Sequence, residues 1–126
     1  MTKAAAEKHI RRVRQICLAF PGVLEKLSHC EPTFFTPKRV FAMISNNHHD
    51  DGHVAVLLPC APGVQADLIA ERPETFYYPK YVGIGGWVGV ELDQIGEDDL
   101  GAQISEAYRF ITSKPKTSAK KPRSAR

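Results

Sequence analysis

The stretch TFFTPKRVFAMISNNHHDDGHVAVLL, residues 33–58, decides the fold. Thr33-Phe34-Phe35-Thr36 and Val40-Phe41-Ala42-Met43-Ile44 are short runs rich in β-branched and aromatic residues. Pro37-Lys38-Arg39 separates them, so a hairpin is the simplest connection. The polar run 45–52, with Asp51-Gly52 marking a turn, leads into His53-Val54-Ala55-Val56-Leu57-Leu58. That apolar run predicts a third strand beside the second.

Outward from this centre, Ala6, Ile10, Val13, Cys17 and Phe20 recur at helical spacing, with Lys8, Arg11, Arg12 and Gln15 opposite them. The pattern predicts a helix over residues 4–20 that stops at Pro21-Gly22. On the other side, Pro62 opens a short helix through Val64, Leu68 and Ile69, and Pro73 ends it. Phe76-Tyr77-Tyr78 and residues 87–92 read as fourth and fifth strands. Residues 98–112 form a closing helix on Leu100, Ile104, Ala107, Tyr108 and Ile111, with acids at its start and Arg109 near its end. The order predicts an α+β two-layer sandwich. Its mainly antiparallel five-stranded sheet carries the N- and C-terminal helices on one face, and the short helix falls between strands three and four. Residues 1–112 are expected to form one domain, and residues 113–126, with almost nothing apolar to bury, a disordered basic tail.

Charge is segregated along the chain. The tail holds six basic residues and no acid, and residues 1–20 carry a net +4. Residues 21–112 hold six basic and thirteen acidic residues, a net −7, so the body is acidic. Phosphate-binding surface is therefore expected on the first helix and the tail. No run nears the roughly 20 apolar residues that would cross a bilayer, and the N-terminus lacks a signal-peptide core, so a cytoplasmic protein without membrane association is expected. Cys17, Cys30 and Cys60 are odd in number and widely spaced, which predicts reduced thiols and no disulfide framework.

With the elements placed, the chain resembles the MmcQ/YjbR family over roughly residues 9–112. The resemblance is carried by Phe20-Pro21-Gly22-Val23 with Glu25, Ser28-His29 with Pro32-Thr33-Phe34, and the Phe41-Ala42 strand. It continues through the turn at residues 48–52, Ala61-Pro62-Gly63, Pro79-Lys80-Tyr81-Val82-Gly83, residues 86–93 and Ala107-Tyr108-Arg109. It implies a fold similar to the frataxin-like (CyaY-like) domains and association with DNA through two hairpin wings, here carrying Lys38 and Arg39 on the first and Lys80 on the second. It supplies no catalytic residues.

Several motifs invite chemistry. His48-His49-Asp50-Asp51-Gly52-His53 offers imidazole and carboxylate ligands of the kinds zinc, nickel or iron accept, but neighbours on a strand point to opposite faces, so we read a solvated turn and no metal. Gly83, Gly85, Gly86 and Gly89 lack the Gly-x-Gly-x-x-Gly spacing and precede a strand, so they read as a flexible link, Gly89 leaving room for a neighbouring side chain. His29-Cys30 lacks the third group that would orient a nucleophile–base pair. No catalytic residue or cofactor is assigned, and we expect no enzyme.

Two functional readings follow. The first is a non-enzymatic module that binds DNA weakly and without sequence preference through Lys8, Arg11, Arg12, Arg14, Lys38, Arg39 and Lys80, and through Lys114, Lys116, Lys120, Lys121 and Arg123 of the tail. The second is a small-ligand or protein-interaction domain. It uses the aromatic region of Phe76, Tyr77, Tyr78, Tyr81 and Trp87, with His29, Tyr78, Lys80, Tyr81 and Trp87 as ligand contacts. A concave apolar pocket beside Tyr78, Tyr81 and Trp87 would favour the second.

Overall fold

A computed structural model describes residues 2–47 and 52–113. Helix α1 (Lys3–Leu18) starts where the Thr2 hydroxyl accepts the Ala5 N–H at 3.0 Å, an N-cap that satisfies one of the orphan donors of the first turn. Four strands follow: β1 (Leu24–Ser28), β2 (Glu31–Phe35), β3 (Val40–Asn46) and β4 (Val54–Leu58). Then come α2 (Val64–Glu71), β5 (Phe76–Tyr77), β6 (Val88–Glu91) and α3 (Glu97–Thr112). Glu97, Asp98 and Asp99 occupy the first turn of α3 and Arg109 its last, as the helix dipole favours.

The six strands form one open sheet in the order β1-β2-β3-β4-β6-β5, with every pairing antiparallel. The sequence predicts five strands; the structure adds β1. Its sequence, Leu-Glu-Lys-Leu-Ser, has no alternation, and Leu27 is 75% exposed, so hydrophobic burial does not mark it. Two other features hold it. Ser28 pairs with Glu31, leaving the two-residue loop His29-Cys30 with positive φ at both positions, the signature of a type I′ turn. Arg14 of α1 donates to both carboxylate oxygens of Glu25, at 2.8 and 2.9 Å.

Helices α1 and α3 cover one face. Val13 and Cys17 of α1 and Leu100 and Ile104 of α3 bury fully against Phe34, Phe41, Val56 and Val90 from the strands. An irregularity between β2 and β3 leaves Phe41 as an extra residue, and its ring meets Phe20 and Tyr108 edge-on. The ring of Tyr108 stacks on Phe20 at 4.5 Å while its hydroxyl donates to the Pro21 carbonyl at 2.9 Å, which locks the end of α1 to α3. Helix α2 has no fully buried residue and contacts β5. Among the described residues no helix is long and apolar enough to cross a membrane.

Candidate functional site

Among the described residues no α-helix covers the sheet face away from α1 and α3, and side chains on it follow from register. Thr33 lies opposite Met43, Met43 opposite Leu57, Leu57 opposite Gly89, and Gly89 opposite Tyr77. These residues therefore share one face. Ser45, two residues beyond Met43, shares it too. A cleft of about 390 Å³ opens over this row, with Thr33, Met43, Ser45, Leu57 and Tyr77 along its floor and wall. Its volume falls in the usual range of small-molecule sites, and its lining is mostly apolar with a few polar groups.

The opposite wall is the segment 79–82. Tyr81 has φ 66° and ψ −62°, and the Val82 N–H donates to the Lys80 carbonyl at 2.7 Å. This is a positive-φ γ-turn, a rare and strained form for a residue with a Cβ. It leaves Tyr81 77% exposed at the cleft mouth. The segment is nonetheless anchored. Gln65 of α2 donates from one amide nitrogen to the carbonyls of Gly83 at 2.8 Å and Trp87 at 2.5 Å. The Gly83 N–H donates to the Pro79 carbonyl at 3.0 Å. Tyr78 lies over Gly83 so closely that a Cβ there would fall 2.6 Å from its ring. A wall fixed in this way costs a ligand little ordering entropy.

Tyr77 is held just as firmly. Its ring covers Gly89, in the space a Cβ would occupy, and it stacks on His53 at 3.8 Å with the planes 6° apart. His53 Nδ1 in turn meets Glu91 Oε2 at 2.5 Å. Gly89 thus makes the room expected of it from sequence, and the neighbour it admits is Tyr77.

Polar groups converge at one end of the cleft. The Thr33 hydroxyl donates to the Glu31 carbonyl at 3.1 Å, and the Glu31 carboxylate accepts the Asn46 N–H at 3.0 Å. Ser45 is 6% exposed, and among the described residues its hydroxyl has no hydrogen-bond partner. His29 and Lys80 line the cleft from exposed positions.

Of the five sequence-predicted ligand contacts, the structure brings His29, Lys80 and Tyr81 to one cleft. Tyr78 supports the wall from outside. Trp87, read as a possible ligand contact or core residue, is half-buried and lines a separate hollow of about 580 Å³ with Cys60, Ile84 and Phe110. Sequence reasoning missed Glu31, Thr33, Met43, Ser45 and Leu57. Their signal was period-two alternation, which sends every second residue of each strand to the helix-free face.

The basic residues fare unevenly. Arg12 is 17% exposed at its side chain, donating to the carbonyls of Leu92 and Ile95 at 3.1 Å each, to Glu97 at 3.1 Å and to His9 Nδ1 at 2.7 Å. Its burden is structural. Burial and the Arg12 guanidinium together hold the His9 imidazole below its ordinary pKa. Arg14 is committed to Glu25. Lys8 and Arg11 are exposed on α1, and Lys38 and Arg39 sit exposed at the β2–β3 turn, where the Thr36 hydroxyl accepts both of their backbone N–H groups. The tail cations and the turn residues His48, His49, Asp50 and Asp51 lie outside the described residues. Among the described residues no three His, Cys, Asp or Glu side chains cluster as metal ligands.

Comparison with known proteins agrees with the architecture. The crystal structure of Deinococcus radiodurans protein DR2400, with its DUF419 domain, aligns over 83% of this chain and 79% of its own, with a TM-score of 0.70 at 20% identity. No curated protein matches. A family model described as YjbR matches residues 18–110, well over half of the sequence, and the chain belongs to the YjbR family.

Proposed function

We propose that this protein is a non-enzymatic small-ligand-binding module whose site is the cleft between the helix-free sheet face and segment 79–82. The observation that carries the reading is a mostly apolar cavity of about 390 Å³ with fixed walls and a buried, unpartnered hydroxyl, that of Ser45, among the described residues lining it. Binding without turnover is supported by the chemistry of the nucleophiles. No base hydrogen-bonds to Ser45 among the described residues, and burial pushes the Cys60 thiol up to about 11 and raises that of Cys17 further. A thermal-shift screen of common metabolites on the full chain and on Leu57→Trp, which fills the cleft floor, tests this. Compounds that stabilise the wild type should lose their effect on the variant. Equal stabilisation of both proteins would remove the cleft from the account.

A second reading, weak and sequence-independent association with DNA, is supported by the exposure of Lys8 and Arg11 on α1 and by the six cations after Ser113. Arg12 and Arg14 drop out of it because their guanidinium groups are engaged within the fold. Duplex affinity should fall with salt at a log–log slope of about −0.9 per phosphate neutralised, and a chain ending at Thr112 should lose most of it. Equal binding by the two chains would dismiss the tail-centred form.

A further inference from the structure

We propose that the cleft takes a ligand with an anionic, acceptor-rich head of the carboxylate type on an apolar, ring-sized body, the head seated among Ser28, His29, Ser45 and Lys80. This rests on the small-ligand reading above. The chemistry of the head follows from which polar groups on the lining are open.

The Glu31 carboxylate accepts the Asn46 N–H, the Tyr77 ring stacks on His53, and Glu31, Tyr77 and Tyr81 all have further partners within the chain, so the open capacity lies elsewhere. The Thr33 hydroxyl already donates to the Glu31 carbonyl. Four side chains on the lining have no hydrogen-bond or ion-pair partner among the described residues. They are the hydroxyls of Ser28 and Ser45, the His29 imidazole and the Lys80 ammonium. All four can donate, and the ammonium can do nothing else. Ser45 is almost fully buried, where an unpaired hydroxyl is costly and a ligand acceptor beside it would relieve that cost. An acceptor-rich head satisfies the four together. A carboxylate adds the charge opposite to Lys80, which strengthens each bond.

The seat is held by its backbone. His29 opens the two-residue turn that follows Ser28, and Lys80 precedes the γ-turn at Tyr81. His29, Cys30 and Tyr81 have φ of 54°, 66° and 66°, and strain of this kind gathers at ligand clamps. Met43 and Leu57 lie opposite each other in register and give the ring of the ligand an apolar floor. Two features oppose an anion: the Glu31 charge and the net −7 of residues 21–112. The Asn46 N–H offsets part of the first, and at roughly 0.15 M salt the second is screened beyond about 8 Å, so contacts inside the cleft decide.

The test compares 3-phenylpropionate, 2-phenylethanol and 2-phenylethylamine, which share a ring and differ in the charge of the head, by ligand-observed NMR titration of the full chain. The propionate should bind roughly tenfold more tightly than the alcohol, and the amine most weakly. Lys80→Met keeps an apolar stem at an exposed position and should bring the propionate close to the alcohol while leaving the alcohol unchanged. Ser45→Ala should weaken the propionate several-fold without lowering Tm, since the hydroxyl it removes has no partner in the fold. Equal binding of the three probes, a preference for the amine, or undiminished propionate binding by either variant overturns the anionic head while leaving the cleft reading intact. If no probe binds the wild type, or Leu57→Trp does not abolish binding, the small-ligand reading falls as well.

Discussion

Replacing Gly89 by alanine should damage this protein through one side chain, that of Tyr77. Gly89 lies in β6 opposite Tyr77 of β5, and its backbone carries no positive φ, so alanine meets no conformational barrier there. In an open strand position alanine would even stabilise by roughly 0.5–1 kcal/mol, since glycine loses more entropy on folding. The obstacle is the Tyr77 ring, which already fills the space of the new methyl. The ring cannot simply swing aside, because His53 stacks on it and is itself held by Glu91. Forcing a methyl into such a site costs about 1–3 kcal/mol. For a domain of this size that lowers Tm by about 4–12 °C, taking roughly 4 °C per kcal/mol. Thermal unfolding of wild type, Gly89→Ala, Tyr77→Ala and the double variant measures the coupling. Gly89→Ala should destabilise when Tyr77 is present and be neutral or slightly stabilising when it is absent. The same penalty in both backgrounds would refute the steric account of the wall.

Arg12→Ala should cost roughly 2–4 kcal/mol in chemical denaturation, because it strands the carbonyls of Leu92 and Ile95 beneath α1, whereas exposed Arg11→Ala should change stability by less than about 0.5 kcal/mol. Equal losses would show that Arg12 does not pin α1 to the end of β6. Exposed Cys30 should react with iodoacetamide at pH 8 well before Cys17 and Cys60, as peptide mapping by mass spectrometry would reveal; fast labelling of Cys17 in the native protein would contradict its burial. The folded thiol of Cys60 holds its proton to about 11 against an unfolded value of 9.0, so its contribution to stability is complete below 9.0 and is lost as pH rises toward about 11. Cys60→Ser should flatten the decline of Tm in that window, and an unchanged pH profile would refute this assignment.

Much of the fold was legible because its signals are local. The hairpin at Pro37-Lys38-Arg39, the strands at Val40 and Val54, and both long helices follow from periodicity and turn residues that act within a few positions. Strand β1 was not legible, since its place comes from pairing with β2 across a His29-Cys30 turn without glycine or asparagine, and from Arg14 reaching Glu25. Segment 79–86 read as a flexible link because nothing local reveals that Gln65, on another element, pins two of its carbonyls. Arg12 read as part of a basic face for the same reason: its carbonyl partners lie 80 and 83 residues away. The aromatic cluster was read as a ligand surface, and two of its members, Tyr77 and Tyr81, line the cleft. Strand alternation, however, divides it, sending Phe76 into the core and Tyr77 to the cleft.

The cleft can be watched directly through its floor. The chain has two methionines, Met1 and Met43, so ¹³C-methyl labelling yields a single reporter inside the cleft with Met1 as the internal control. Titration with the metabolites that stabilise the protein should shift the Met43 methyl saturably and leave Met1 in place. If stabilising compounds leave Met43 unmoved, or shift both methyls alike, the site is not this cleft.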